Sequence, residues 1–269
     1  MNDISVFEKQ LFDNGLSKNT ISSYIWTLNY YKFHYNRLSP TKLLEYKSFL
    51  TENFKPKTVN LRIQAINKYL KFRNLESLTL NSVKIQQKSF LENVISNADY
   101  LYLKNSLKKE KNYKWYFVVW YLAATGARVS EIIQLKIEHI NLGYFDIYSK
   151  GGKHRRLYIP KLLREETNIW LKQNERTTGY LFINRFGNQL TPRGIAEQLK
   201  FYASKYGIKR EVVYPHSFRH LYAKNFLDNY NDLAMLADLM GHDSIETTRI
   251  YLRRTATEQQ QVVDKVVTW

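Results

Sequence analysis

The sequence predicts a mainly α-helical chain with one small β-sheet: a helical N-terminal domain followed by an α+β domain. Three observations carry this prediction. Apolar residues recur at i, i+3 and i+4 through the first 75 residues, the period of amphipathic helices. Residues 144–159 alternate around a glycine-containing turn, as a hairpin does. Between about Leu75 and Ser96 the periodicity weakens, which places a linker at 79–89 between domains at 1–78 and 90–269.

The elements follow in order. Ser17 caps a helix whose stripe is Ile21, Tyr24, Ile25, Leu28 and Tyr31. Ser39-Pro40 is a cap followed by proline at the first helical position, leading into Leu43, Leu44, Phe49 and Leu50. Thr58 opens a helix with Val59, Ile63, Ile66, Tyr69 and Leu70 on its buried side. Lys57, Arg62, Lys68 and Lys71 decorate that helix, either as a solvated face or as contacts to a phosphate backbone. The linker is polar, with Thr79, Asn81, Ser82, Gln86, Gln87 and Lys88, and contains no glycine or proline. Past it, the apolar run 115–124 reads as core, Gly126 marks a turn, and a helix is expected over 130–137. The strands are 144–148 and 156–159, joined by Ser149-Lys150-Gly151-Gly152-Lys153-His154. Pro215 starts a helix that puts His216 and Arg219 on one face. In the tail 256–269, Val262, Val263, Val266, Val267 and Trp269 form a short apolar cluster.

Composition narrows the class. Of 269 residues, 44% are apolar, enough for ordinary cores and too many for a disordered chain. Cysteine is absent, which excludes disulfides, thiolate metal sites and cysteine nucleophiles. Asp3, Glu8 and Lys9 interrupt any secretory signal, and no stretch approaches the 18 apolar residues of a membrane span. The chain is therefore expected in the cytoplasm. The net charge is +17, which favours a polyanion through counterion release. The surplus is spread: residues 1–85 carry 13 Lys+Arg against 6 Asp+Glu, and residues 86–255 carry 27 against 16. A membrane surface or an acidic protein is the rival partner, but no strongly basic amphipathic segment supports the membrane.

Five residues in the second half could surround one phosphodiester. Arg128 lies in Thr125-Gly126-Ala127-Arg128-Val129-Ser130-Glu131, and His216 and Arg219 in His216-Ser217-Phe218-Arg219-His220. His242 follows Met240-Gly241, and Tyr251 stands nine residues further on. Two guanidiniums can clamp non-bridging oxygens with forked hydrogen bonds, two imidazoles can donate or move protons, and a tyrosine can attack phosphorus. Singly, each is weak. An arginine is usually a surface charge, H-x-x-R is common by chance, and most tyrosines are packing residues. Together, their order and spacing from about Ala124 to Tyr251 resemble the catalytic domain of tyrosine recombinases, the phage-integrase and Xer-type family. The alternative of zinc held by His216 and His220 lacks a third ligand.

The resemblance implies a helical DNA core-binding domain ahead of an α+β catalytic domain. It implies site-specific cutting and rejoining of double-stranded DNA through a 3′-phosphotyrosyl intermediate and a Holliday junction. Tyr251 would be the nucleophile, Arg128 and Arg219 the phosphate clamp, His242 a further donor, and His216 an aid to proton movement. The family also places a lysine acid on the hairpin. Lys150 matches best, because Gly151 follows it, and Lys153 is its rival or a phosphate contact. Glu131 and His220 would support the site from behind, and Arg253 and Arg254 would touch phosphates. No metal or nucleotide cofactor is implied, and no phosphate-binding glycine loop is present. Implied partners are DNA, a homotetramer on two DNA sites joined by exchange of the tail, and accessory proteins, in association with the nucleoid. Two rival functions share the fold: a type IB topoisomerase-like nicking-closing enzyme and a noncatalytic DNA-binding protein.

Overall fold

A computed structural model describes residues 3–85, 93–148, 154–241, 248 and 256–267. The chain divides into two compact units, Met1–Gln87 and Lys88–Trp269.

The first unit is four helices: α1 (Ile4–Asp13), α2 (Lys18–Tyr35), α3 (Pro40–Asn53) and α4 (Pro56–Phe72). Ser17 Oγ accepts from the Thr20 amide at 3.1 Å and caps α2, and Ser39 does the same for α3 through Lys42. Helix α4 begins at Pro56 rather than Thr58. A proline at the first position gives up an amide that has no helical partner anyway. The stripes Ile21, Tyr24, Leu28, Tyr31 and Val59, Ile63, Ile66, Tyr69, Leu70 are buried against each other and Leu43, Tyr46 and Leu50. Leu44 is exposed.

Two features of this unit depart from the sequence expectation. Residues 79–83, expected in the linker, are pinned to α4. The Asn67 amide bonds both the N–H and the C=O of Leu80 at 2.9 Å, and the Asn60 amide bonds both those of Val83 at 2.8 and 3.0 Å. Leu80 is buried in this core. The other feature is Arg62, expected on the outer face. Its Nη1 donates to Thr27 Oγ1 at 2.7 Å and to the Ser23 carbonyl at 3.1 Å, and its guanidinium lies 4.1 Å from the Trp26 ring centroid. Arg62 therefore ties α4 to α2, because Thr27 and Ser23 offer acceptors that face it across the helix pair. Lys57, Lys68 and Lys71 stay exposed on α4.

The second unit is built around α6 (Tyr113–Thr125), whose residues Trp115, Tyr116, Phe117, Val118, Val119, Tyr121 and Leu122 are all buried. It packs against α5 (Asn97–Lys109), α9 (Lys161–Gln173) and α11 (Pro215–Asn229). Between α6 and α9 stand α7 (Val129–Ile132), α8 (Ile137–Leu142) and an antiparallel pair, β1 (Tyr144–Tyr148) and β2 (His154–Tyr158). The helix expected over 130–137 is thus a single turn, after which a second helix starts at Ile137. Strand β2 starts at His154, two residues earlier than expected, because the pairing of Tyr148 with His154 and of Ile147 with Arg155 extends the ladder. Helices α10 (Pro192–Lys205) and α12 (Leu233–Met240) complete the body, and a C-terminal helix spans Ala256–Val266. No described helix is long and apolar enough to cross a membrane.

Candidate active site

The site begins where α6 ends. Gly126 takes φ +62° as the cap, and a Cβ there would overlap the Tyr222 ring on α11. Glycine therefore permits both the left-handed turn and the close approach of the two helices. The turn delivers Arg128 to the N-cap of α7. Glu131, three residues on, receives the Arg128 backbone N–H at 2.6 Å and its Nη1 at 3.0 Å. The same carboxylate thus caps a helix and orients a guanidinium. Arg128 keeps 43% of its side chain exposed while Glu131 is buried, so the arginine reaches outward from a fixed base.

Helix α11 supplies the next group. Arg219 is 1% exposed; its Nη1 donates to the Gly126 carbonyl at 2.5 Å and its Nη2 to the Met240 carbonyl at 2.7 Å. His216 lies one turn earlier, with its ring edge-on to His220 at 4.6 Å between centroids. Partial desolvation lowers the His216 pKa, and the nearby Arg219 and Arg128 lower it further. Burial, with His216 and Arg219 adding to it, pushes His220 down to about 4. Both imidazoles are therefore neutral at neutral pH. Among the described residues, no group of three His, Asp or Glu side chains could hold a metal ion.

The C-terminus of α12 gathers these pieces. A helix end leaves carbonyls without intrahelical partners. Here three successive ones are each taken by a different arginine. Arg155 Nη1 reaches Leu239 at 2.7 Å, Arg219 Nη2 reaches Met240 at 2.7 Å, and Arg128 Nη2 reaches Gly241 at 3.3 Å. Gly241 has φ +63°, and a Cβ on it would overlap the Arg155 side chain. Arg155 also donates from Nη2 to Glu131 Oε2 at 2.6 Å, an ion pair in which both side chains are less than a tenth exposed.

Arg128, Glu131, His216, Arg219 and His220 are thus brought together. Lys150, Lys153, His242, Tyr251, Arg253 and Arg254 lie outside the described residues. The residue that sequence reasoning missed is Arg155. A signal existed: strand alternation puts Arg155 on the same face as buried Leu157, and an arginine on an inward strand face needs a carboxylate.

Comparison with known proteins identifies the family. The profile of the phage integrase family matches residues 92–258. Tyrosine recombinase XerA from Pyrococcus furiosus is 33% identical over 265 residues, covering 93% of this chain and 89% of the relative. The fold is similar to that of XerH site-specific recombinase bound to difH substrate in a pre-cleavage complex. There the TM-score is 0.68 at 22% identity, with 90% of this chain and 79% of that chain covered. It is also similar to a lambda integrase dimer bound to a COC′ core site, with a TM-score of 0.71 at 15% identity and 93% and 94% coverage. The chain belongs to the phage integrase family. It is a tyrosine recombinase, a site-specific enzyme that transfers DNA strands.

Proposed function

We propose that this site-specific tyrosine recombinase cuts double-stranded DNA with Tyr251, forming a 3′-phosphotyrosyl link and freeing a 5′-hydroxyl. Reversal by a 5′-hydroxyl from another strand rejoins the DNA, and two such rounds pass through a Holliday junction. The observation that carries this reading is the convergence of Arg128 and Arg219 on the carbonyls of Gly126, Met240 and Gly241. Two guanidiniums from distant parts of the chain are held at the chain segment that leads directly to His242. They are fixed cations, suited to the charge that grows on non-bridging oxygens as the phosphorus becomes pentacoordinate. A phenol has an ordinary pKa of about 10, so Tyr251 must lose its proton as it attacks. His216, held neutral by its surroundings, can accept that proton. His242 adds a donor to the phosphate, and Lys150 on the hairpin protonates the leaving 5′-oxygen.

Around this chemistry, the first unit acts as a helical core-binding domain that lays Lys57, Lys68 and Lys71 against phosphates, with Lys153, Arg253 and Arg254 doing so in the second. Four protomers engage two DNA sites, with accessory proteins as further partners, at the nucleoid. The C-terminal helix supports assembly through exchange, since Val263 and Val266 stand exposed on it and Val267 just past its end. A nicked suicide substrate carrying the recognition site tests the reading. The expected product is a protein–DNA adduct that survives denaturation, joined to the 3′ side of the cut. An adduct-free protein that binds the site tightly would leave only the noncatalytic alternative.

A further inference from the structure

We infer that Arg155 is a positioning residue for strand transfer, holding the end of α12 and the Glu131–Arg128 pair in one arrangement. The inference rests on the function proposed above.

Three contacts define the role. Arg155 Nη2 donates to the Glu131 oxygen that also receives the Arg128 backbone amide, so one carboxylate oxygen joins the two arginines. Its Nη1 donates to the Leu239 carbonyl, so the same guanidinium holds the end of α12. Its side chain fills the space that a Cβ on Gly241 would need, so the left-handed cap closes directly onto it. Arg155 is 9% exposed with its two terminal nitrogens engaged by Leu239 and Glu131, while Arg128 is 43% exposed. It thus acts on the reaction through other groups. It also stands on β2, five residues after Lys150, so the hairpin that carries the acid is anchored to the arginine clamp through one side chain. A shorter or unforked cation cannot reach Glu131 and Leu239 together.

The test compares the full-length parent with Arg155→Lys, Glu131→Gln and the double variant. It measures site affinity, thermal melting and single-turnover cleavage at saturating suicide substrate, below the melting range. Arg155→Lys keeps a cation beside Glu131 and should fold. Its cleavage of bound DNA should fall about 10- to 100-fold, the effect of a small misplacement of reacting groups, with affinity near the parent's. The double variant should cleave no more slowly than the slower single, because both residues serve one unit. Should Arg155→Lys lack a cooperative melt, Arg155→Met with Glu131→Gln, which buries no unpaired charge, is measured in its place against Glu131→Gln alone. Lower melting with parent-rate cleavage of bound DNA would make Arg155 structural only, and independent, additive losses would sever it from Glu131. Failure of the parent itself to form an adduct would instead overturn the proposed function, and this inference with it.

Discussion

Tyr251 is one of 21 tyrosines, and nothing in its own chemistry separates it from the others. Its test must remove a single oxygen. Tyr251→Phe should bind DNA as the parent does and form no covalent complex on a denaturing gel; adduct in the Phe variant would pass the role to another residue. The arginines require a different measurement, because they hold the protein together as well as being proposed to clamp the phosphate. Arg219→Ala leaves two buried carbonyls, Gly126 and Met240, without the donors they have now. That costs about 1–3 kcal/mol for each buried group left unsatisfied. Cleavage of bound DNA is therefore measured well below the melting temperature. There Arg128→Ala and Arg219→Ala should each lose about 100- to 1000-fold, as removal of a transition-state donor does. Loss of affinity with normal cleavage would reassign them to backbone positioning. His220 governs the acid limit. Its folded pKa of about 4 lies below the ordinary 6.5, so the unfolded chain binds the proton more readily. Stability is then full above about pH 6.5 and falls as the pH drops toward 4, by about 3 kcal/mol from this group. His216, shifted the same way, adds to the slope. Urea titrations from pH 7 to 4 should show this loss, and it should shrink in His220→Gln. A pH-independent midpoint would place His220 in contact with water.

At the scale of elements, the hairpin and the end of α12 do opposite things. The α12 end is over-determined: three arginines, from a turn, a strand and a helix, take three consecutive carbonyls. Such an end fixes the backbone of Leu239, Met240 and Gly241. The hairpin is anchored near the turn end of its ladder, where Arg155, opposite Ile147, reaches inward, and the sequence between the strands holds two lysines. Which lysine is the acid can be decided chemically. A substrate with a 5′-bridging sulfur has a leaving group that needs little protonation. Lys150→Ala should cleave it at close to the parent's rate while failing on ordinary DNA. Rescue of Lys153→Ala in its place would give the role to Lys153.

For the whole molecule, the question is how protomers assemble. The C-terminal helix Ala256–Val266 shows valines 263 and 266 on its surface, with Val267 just past its end, about half exposed. An apolar stripe this short is marginal as an isolated helix and needs a surface to cover it. Deleting residues 256–269 should leave a folded protein that binds one site but no longer pairs two. Sedimentation of the protein–DNA complexes separates these states. A truncated protein that still forms the paired complex would remove the tail from assembly, and one that unfolds would show that the tail packs within its own protomer.

The sequence by itself determined the helices with clear apolar stripes, the caps at Ser17 and Ser39, the core run 115–124 and the family. Each of these is a local pattern: a period, a cap or an ordered motif is written in neighbouring residues. It also marked Arg128, His216 and Arg219 as candidates, because their spacing within motifs is local too. Only the tertiary structure decided what buried polar groups do. Asn60 and Asn67 look like polar helix residues until the backbone of Leu80 and Val83 lies beside them. Arg62 looks like a phosphate contact until Thr27 and Trp26 face it across the helix pair. Arg155 looks like one more basic residue of a hairpin until Glu131 and the end of α12 meet it. A buried cation is set by partners far away in the chain, and no period records such a pairing. The need to satisfy each desolvated donor and acceptor, which folding imposes, is what selects these partners.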